Sequence, residues 1–312
     1  MPSKQKLIVI LGPTASGKTD LAIKMAKEFN GEIISADSRQ IYKKMDIGTA
    51  KPDGKWKTVA GKRRYLVEGV PHYAIDAVNP GKTFTAAEFK KLAIESVEDI
   101  GRRGKIPFLV GGTGLYVWAV VDNLQFPSGD PMKKLRAGFA DKSIEELVEL
   151  LKKVDPEAVS FVDIKNKRRV IRALEVAIST GQSFSVHRAK TEPLFDCLQI
   201  GIRWPIDELF QRIDERIDEQ WEKGWQGEVE SLVRQKYSFD LPSLSGIGYR
   251  EVVKYLAGEM TLPEMFRILK RETRRYAKRQ ITWFKRDKRI QWIEKSDVSA
   301  ARGMIADFLM KR

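Results

Sequence analysis

The segment Gly12-Pro13-Thr14-Ala15-Ser16-Gly17-Lys18-Thr19 restricts the fold more than any other part of the chain. It fits G-x-x-x-x-G-K-[ST], follows the apolar run Leu7 to Leu11 directly, and opens a helical pattern from Gly17 to Phe29. Strand, glycine loop and helix in that order are the setting a phosphate-binding P-loop requires. The glycines let backbone N–H groups converge on phosphate oxygens, the helix N-terminus adds a favourable dipole, Lys18 brings a point charge, and Thr19 can reach a magnesium ion. A glycine turn with no ligand is the competing reading. The loop alone does not say whose phosphates it holds.

Features of an ordinary P-loop kinase or NTPase are hard to find. There is no clear Arg-rich lid, no Asp after a third apolar strand, and no guanine-reading motif. The apolar run Ile106 to Val110 ends instead in Gly111-Gly112-Thr113-Gly114, a second glycine turn that could let a ligand approach the backbone or could simply pack strand against helix. After the second apolar run, Glu32 to Ala36, comes Asp37-Ser38-Arg39-Gln40, at a strand's carboxyl end where open α/β sheets bind ligands. Asp37 reads either as a helix cap or as a general base beside the phosphate site, with Arg39 and Gln40 as hydrogen-bonding groups. The loop Ile47 to Pro52 that follows leaves its role open.

Alternating strands and helices, with the amphipathic stretch Thr85 to Arg102 before Ile106, predict a parallel sheet covered on both faces. Leu198 to Ile202 and Ile290 to Ile293 could complete that sheet from the far end of the chain, which makes the wholly helical middle an insertion. The expected organisation is a core of residues 1–121 and 193–312 with an insertion of residues 122–192. Ser143 and Glu146 give the insertion a capping-box signature. From Thr261 to Lys285 a helix carries Phe266, Leu269, Thr273, Tyr276, Gln280 and Trp283 along one stripe, with Trp283 and Phe284 expected in the core.

Charge supplies the next constraint. The 312 residues carry a formal net charge of +14, and such an excess of Lys and Arg attracts a polyanion through counterion release. Between Thr261 and Arg289 stand eleven basic residues against three acidic ones, with Arg267, Arg271, Arg274 and Lys278 as a helical ridge. Lys165 to Arg172 places five cations at a helix start, which is unfavourable without an anion to meet them. No run approaches the ~20 apolar residues of a membrane helix, and no signal-peptide core precedes the glycine loop, so the expected location is the cytoplasm with no membrane partner. The single Cys197 excludes an internal disulfide and reads as a buried strand residue.

Taken together, GPTASGKT from Gly12, DSRQIY from Asp37, IGTAKP from Ile47, GGTGLY from Gly111, KRRVIRALEV from Lys167, GIGYREVVKYL from Gly246 and TRRYAKRQITWF from Thr273 resemble the bacterial tRNA dimethylallyltransferases (tRNA isopentenyltransferases) nearly end to end. Departures are mild. Pro71-His72-Tyr73 stands where the family usually has a His pair, and Lys133-Lys134-Leu135-Arg136 blurs which cation, Lys134 in first place, is the family's tRNA contact.

The resemblance implies a nucleotide-kinase-like P-loop core of α/β class with an inserted all-helical domain, crossed by a channel. Dimethylallyl diphosphate enters one end and a flipped adenosine 37 of the tRNA anticodon stem-loop enters the other. It implies that Gly12 to Thr19 bind the diphosphate, that Thr19 holds Mg2+, that Lys18 stabilises the leaving group, and that Asp37 accepts the proton lost from N6. Asp37, Ser38, Arg39, Gln40, Thr113, Lys134, Arg168, Arg169, Val170, Ile171, Arg172, Gly248, Tyr249, Arg250, Lys278, Arg279 and Gln280 are carried over as tRNA contacts; separately, a monomer is expected. The alternatives are an adenylate isopentenyltransferase acting on free AMP or ATP, a small-substrate phosphotransferase, and a non-catalytic RNA-binding protein.

Overall fold

The computed structural model describes residues 4–59, 61–126, 135, 138–139, 141–181, 183–184, 191–295 and 297–311. Lys134, with Lys133 and Arg136, lies outside the described residues. The chain forms two compact units, Met1–Val120 with Leu194–Arg312, and Val121–Pro193.

The first unit is built on one eight-stranded sheet. Its strands are β1 (Lys6–Leu11), β2 (Gly31–Ser35), β3 (Lys55–Val59), β4 (Lys62–Val67), β5 (Val70–Tyr73), β6 (Ile106–Gly111), β7 (Asp196–Arg203) and β8 (Gln291–Glu294), in the spatial order β3-β4-β5-β2-β6-β1-β7-β8. From β5 to β8 all neighbours are parallel, with Val9 beside Leu109 on one side and Gln199 on the other. Continuous apolar runs such as Leu7 to Leu11, all fully buried, are what a strand covered on both faces demands. The covering helices include α1 (Lys18–Glu28) and α2 (Ala86–Arg102), the latter opened by a capping box of Thr85 and Glu88. The late strands do complete the sheet, β7 against β1 and β8 against β7. Cys197 sits at the start of β7 and is only half-buried, because the strand's first residues lie at the sheet's rim.

The antiparallel meander β3-β4-β5 was not legible in the sequence. All five residues of β3 are exposed, so its Lys-Trp-Lys-Thr-Val shows none of the alternation that marks a half-buried strand.

Seven further helices matter to the site or the insertion. Helix α3 (Gly114–Val121) follows β6; α4 (Ile144–Val154) and α5 (Lys167–Thr180) belong to the second unit; α6 (Ile206–Glu222), α7 (Trp225–Arg234), α8 (Tyr249–Leu256) and α9 (Leu262–Phe284) follow β7. A last helix, α10 (Val298–Met310), closes the chain. Ser143 and Glu146 cap α4 reciprocally, and Thr261 and Glu264 cap α9. In the second unit, Leu147 and Leu151 of α4 pack with Val170, Ala173 and Leu174 of α5. In α9, Leu269, Gln280 and Phe284 are buried while Trp283 is half-buried. No described helix is long and apolar enough to cross a membrane.

Candidate functional site

The P-loop joins β1 to α1, and Gly17 caps the helix at φ 81, in the left-handed region that favours glycine. Distant side chains occupy the loop's carbonyls. Trp204 Nε1 donates to Ser16 O at 3.1 Å and Arg212 Nε to Ala15 O at 2.9 Å. Lys18 Nζ donates to Pro13 O at 3.2 Å. From α9, Gln280 Oε1 accepts from Thr14 N at 2.8 Å while its Nε2 donates to Gly112 O at 2.9 Å, so one buried amide ties the P-loop to the second glycine turn. The Gln280 side chain is thereby a brace between the two loops.

The second glycine turn also serves the protein first. A Cβ on Gly111 would lie 2.2 Å from Ala36 O, one on Gly112 2.3 Å from Gln280 Nε2, and one on Gly114 2.3 Å from Trp283. Close packing of protein groups explains these glycines without any ligand.

An inner chamber of about 80 Å³ opens beside the P-loop. Lys18, Thr19 and Arg216 stand at its charged end and Ala22, Ile33, Ile75 and Val110 give it an apolar lining. Burial, with repulsion from Arg216, pulls the Lys18 ammonium down to about 8, against the opposing attraction of Asp37 and Asp20. Burial likewise lowers the Arg216 guanidinium, again opposed by Asp37 and Asp20. Arg216 reaches Thr14 Oγ1 at 3.5 Å and faces the chambers on every side of the P-loop. Two desolvated cations side by side are unfavourable until an anion joins them. Sequence reasoning missed Arg216, one of two arginines on the largely acidic helix α6. His72 also lines this chamber; its Nδ1 lies 2.9 Å from Val70 O and burial drops its pKa to about 4, so the ring stays neutral at neutral pH.

Asp37 follows β2 and lines both this chamber and a larger one of about 340 Å³. Its Oδ1 accepts from Arg39 N at 2.8 Å and Gln40 N at 3.3 Å, which fixes the carboxylate where the two spaces meet. Ser38 N donates to Thr113 Oγ1 at 3.1 Å. Gln40 is held by Ser35 Oγ at 3.0 Å and by Ala50 O at 3.2 Å, and Arg39 donates to the carbonyls of Pro242 and Ser243. These side chains order the turn around Asp37.

Around the larger chamber stand Trp225, Ser245 to Ile247, Tyr249, Tyr276 and Arg279. Burial, then the Asp37 charge, raises Tyr276 to about 12, so its hydroxyl keeps its proton. A carboxylate not foreseen from the sequence organises this wall. Glu228 on α7 accepts from the backbone N–H groups of Asp46, Ile47 and Gly48 at 2.6, 2.7 and 3.1 Å, and from Tyr249 Oη at 2.8 Å. Gln220 Nε2 donates to Ile47 O from α6. The loop Ile47 to Pro52 is thus a fixed wall of the site. Gly48 and Gly248 are glycines because Trp225 packs against them, and Gly248 also needs φ 109. Tyr249 is fully buried, and Arg250 donates to Phe239 O at 2.9 Å, so both are placed to support the wall.

The basic surfaces differ from expectation in their partners. On α9, Arg274 makes a bidentate pair with Asp214 and Lys270 pairs with Asp218 at 2.8 Å, so acidic α6 compensates part of the ridge. Lys278 is exposed, 5.2 Å from the Phe210 ring, and Arg279 lies 5.8 Å from Tyr276. On α5, Arg168 is exposed, Arg169 pairs with Asp163 at 3.2 Å and Arg172 with Glu175 at 3.4 Å. Val170 is fully buried and Ile171 packs against the same core, so both side chains serve the packing of this unit. Among the described residues no cluster of three or more His, Cys, Asp or Glu side chains could hold a metal by itself.

A family model described as "IPP transferase" matches residues 40–287. The tRNA dimethylallyltransferase of Acetivibrio thermocellus is 44% identical over 306 residues, covering 96% of this chain and 95% of that one. Among solved structures, the tRNA delta(2)-isopentenylpyrophosphate transferase of Staphylococcus epidermidis is 39% identical with a TM-score of 0.69, covering 99% of this chain and 100% of the other. A eukaryotic dimethylallyltransferase acting on tRNA is 29% identical with a TM-score of 0.79, covering 99% of this chain and 80% of the other.

Proposed function

The chain belongs to the IPP transferase family, and from that premise we propose a two-ended reaction in which dimethylallyl diphosphate occupies the inner chamber and an adenosine of tRNA the larger one. It is an enzyme that transfers a dimethylallyl group to tRNA. The acceptor is N6 of adenosine 37, flipped from the anticodon loop, because an exocyclic amine in a stack cannot reach a buried electrophile. The single observation that carries the assignment of the ends is the position of Asp37, shared by both chambers.

In this reading the five-carbon group lies on Ala22, Ile33, Ile75 and Val110, while Lys18, Arg216 and the α1 N-terminus hold the diphosphate. As the C1–O bond breaks and the N6–C1 bond forms, negative charge builds on the departing diphosphate and is met by these cations. Asp37 takes the proton that N6 loses. A magnesium ion fits the site, because Mg2+ is commonly held by one protein oxygen together with substrate phosphates, and Thr19 offers that oxygen. Bound there, it would add further neutralisation of the leaving group. The insertion, residues 122–192, contacts tRNA through Arg168 and its neighbours, and the protein works as a monomer in the cytoplasm.

Incubation with labelled dimethylallyl diphosphate, magnesium and either tRNA or AMP, followed by nucleoside analysis, tests the proposal. Label in an N6-modified adenosine of tRNA supports it. Label in AMP alone, or tRNA-stimulated ATP hydrolysis that Lys18→Ala removes, would replace it with one of the alternatives.

A further inference from the structure

We propose that the β3–β4 hairpin is a separate RNA-binding surface, gripping phosphates with Lys55, Lys57 and Lys62 and a base with Trp56; this rests on tRNA being the substrate. From Gly54 to Val67 the chain carries Lys55, Lys57, Lys62, Arg63 and Arg64 and no acidic residue. The strand β3 is the edge of the sheet and every residue of it is exposed. Register divides the hairpin into two faces, with Trp56 opposite Tyr65 and Thr58 opposite Arg63 on one, and Lys57 opposite Arg64 and Val59 opposite Lys62 on the other. Lys55 shares the second face. Only Asp99 answers that face in ion pairs among the described residues, at 3.2 Å from both Lys62 and Arg64, and it is also held by Arg103.

Lysines on an edge strand have a simpler use, since they discourage another strand from pairing there. That use does not account for Trp56. An indole 40% exposed on a sheet edge invites association instead of preventing it. Here the Arg63 guanidinium lies 5.5 Å from the Trp56 ring, and Tyr65 meets the indole edge-on at 5.7 Å. With the indole on one face of this edge strand and the lysines on the other, a nucleic-acid strand that crosses the edge can set a base on the ring and its backbone against Lys55 and Lys57. The hairpin's root belongs to the site. Tyr65 Oη donates to Pro52 O at 2.9 Å, and Pro52 lines the inner chamber. Trp56 Nε1 lies 3.5 Å from Asp76 Oδ2, and Asp76 also pairs with Lys51 of the wall loop. The hairpin is therefore tied by hydrogen bonds and an ion pair to the loop that walls the site where the base is proposed to bind.

The test is tRNA binding by wild type, Lys55→Ala/Lys57→Ala, the control Lys55→Arg/Lys57→Arg, and Trp56→Ala, over a range of salt. Two lost phosphate contacts should lower the slope of log affinity against log salt by about 1.4 to 1.8, with the arginine control retaining it. Trp56→Ala should weaken binding roughly 5- to 100-fold with an unchanged slope, as expected for a lost stacking contact. Dimethylallyl diphosphate affinity should stay within two-fold in all of them, which also shows the variants folded. An unchanged slope and affinity in Lys55→Ala/Lys57→Ala overturns the proposal, and self-association of that variant with wild-type tRNA binding assigns the lysines to guarding the edge. If wild type itself modifies no tRNA, the parent reading fails; if it does and only the hairpin variants are silent, the hairpin alone is wrong.

Discussion

The two ends of the reaction cavity are made by different means. In the proposed reading the diphosphate end is a run of eight adjacent residues, with Trp204 and Arg212 arriving to hold its carbonyls and Gln280 to accept from Thr14 N. The acceptor end has no such run. Its wall is assembled from Asp37, the loop Ile47 to Pro52, Gln220 on α6, Glu228 on α7, Tyr249 on α8 and Tyr276 on α9. A site made of contiguous backbone depends on few side chains, whereas one made of converging side chains depends on each brace. Substitutions should therefore have sharply different signatures at the two ends.

The largest effect is expected where the ends meet. Asp37→Asn removes the proton acceptor while keeping the turn's hydrogen-bonding oxygen, so kcat should fall by about 10² to 10⁴ with tRNA affinity changed only a few-fold. Single-turnover transfer together with equilibrium tRNA binding measures both. Near-full turnover would remove Asp37 from the chemistry, and loss of tRNA binding alone would make it a recognition residue.

Arg216→Gln should come next, costing roughly 10² to 10³ in kcat/KM for the diphosphate by loss of a preorganised cation at the leaving group. An equal loss in kcat/KM for tRNA with diphosphate saturating, and none for diphosphate, would move Arg216 to the acceptor end. The pH profile probes the same place. In the free enzyme Lys18 loses its proton around pH 8, because burial and Arg216 disfavour its charge. Bound diphosphate favours the charged form. So kcat/KM for the diphosphate should fall above about pH 8, approaching tenfold per unit by mass action, while kcat at saturation holds to higher pH. A Lys18→Arg variant should lose that limb; if it keeps it, another group is titrating.

These contrasts also explain what the sequence made legible. The P-loop, the runs that became β1, β2, β6 and β7, and Asp37 were readable because each is fixed by neighbours in sequence. Arg216, Gln220 and Glu228 were not, since each is one polar residue on an amphipathic helix whose pattern is satisfied by ordinary solvation, and only folding brings them to a loop nearly two hundred residues earlier. For the glycines Gly111, Gly112 and Gly114 the sequence left two readings open, and the close approach of Ala36, Gln280 and Trp283 supports the packing one.

Glu228→Gln isolates a brace of the acceptor wall. The amide leaves one carbonyl for three backbone N–H groups and the Tyr249 hydroxyl, and turns its own N–H₂ toward donors. Leaving such groups unsatisfied costs about 1 to 3 kcal/mol. We expect a several-fold to tenfold drop in kcat/KM for tRNA with little change for the diphosphate, read by steady-state kinetics with each substrate varied in turn. Equal losses for both substrates would mean that the wall serves the whole cavity and that the two ends are not independent.

The smallest expected effect concerns the ridge on α9, the helix that also carries Gln280 to the P-loop. Arg274 is already bound bidentately by Asp214, and its guanidinium lies 5.4 Å from the Phe210 ring, so an RNA phosphate must compete for it. Arg274→Ala should then flatten the salt dependence of tRNA binding by less than the ~0.7 to 0.9 of a unit that a fully available cation contributes. Asp214→Asn should act in the opposite direction, because a released Arg274 can turn to the phosphate and a nearby repulsive charge is gone. A two- to fivefold gain in tRNA affinity with a steeper slope is the expected result, within the ~1 kcal/mol that partly exposed pairs are worth. Diphosphate binding should not move, since the pair lies on the helix face away from Gln280. Tighter diphosphate binding in Asp214→Asn would instead couple the outer face of α9 to the P-loop through that glutamine, and the sharp division between the ends would have to be given up.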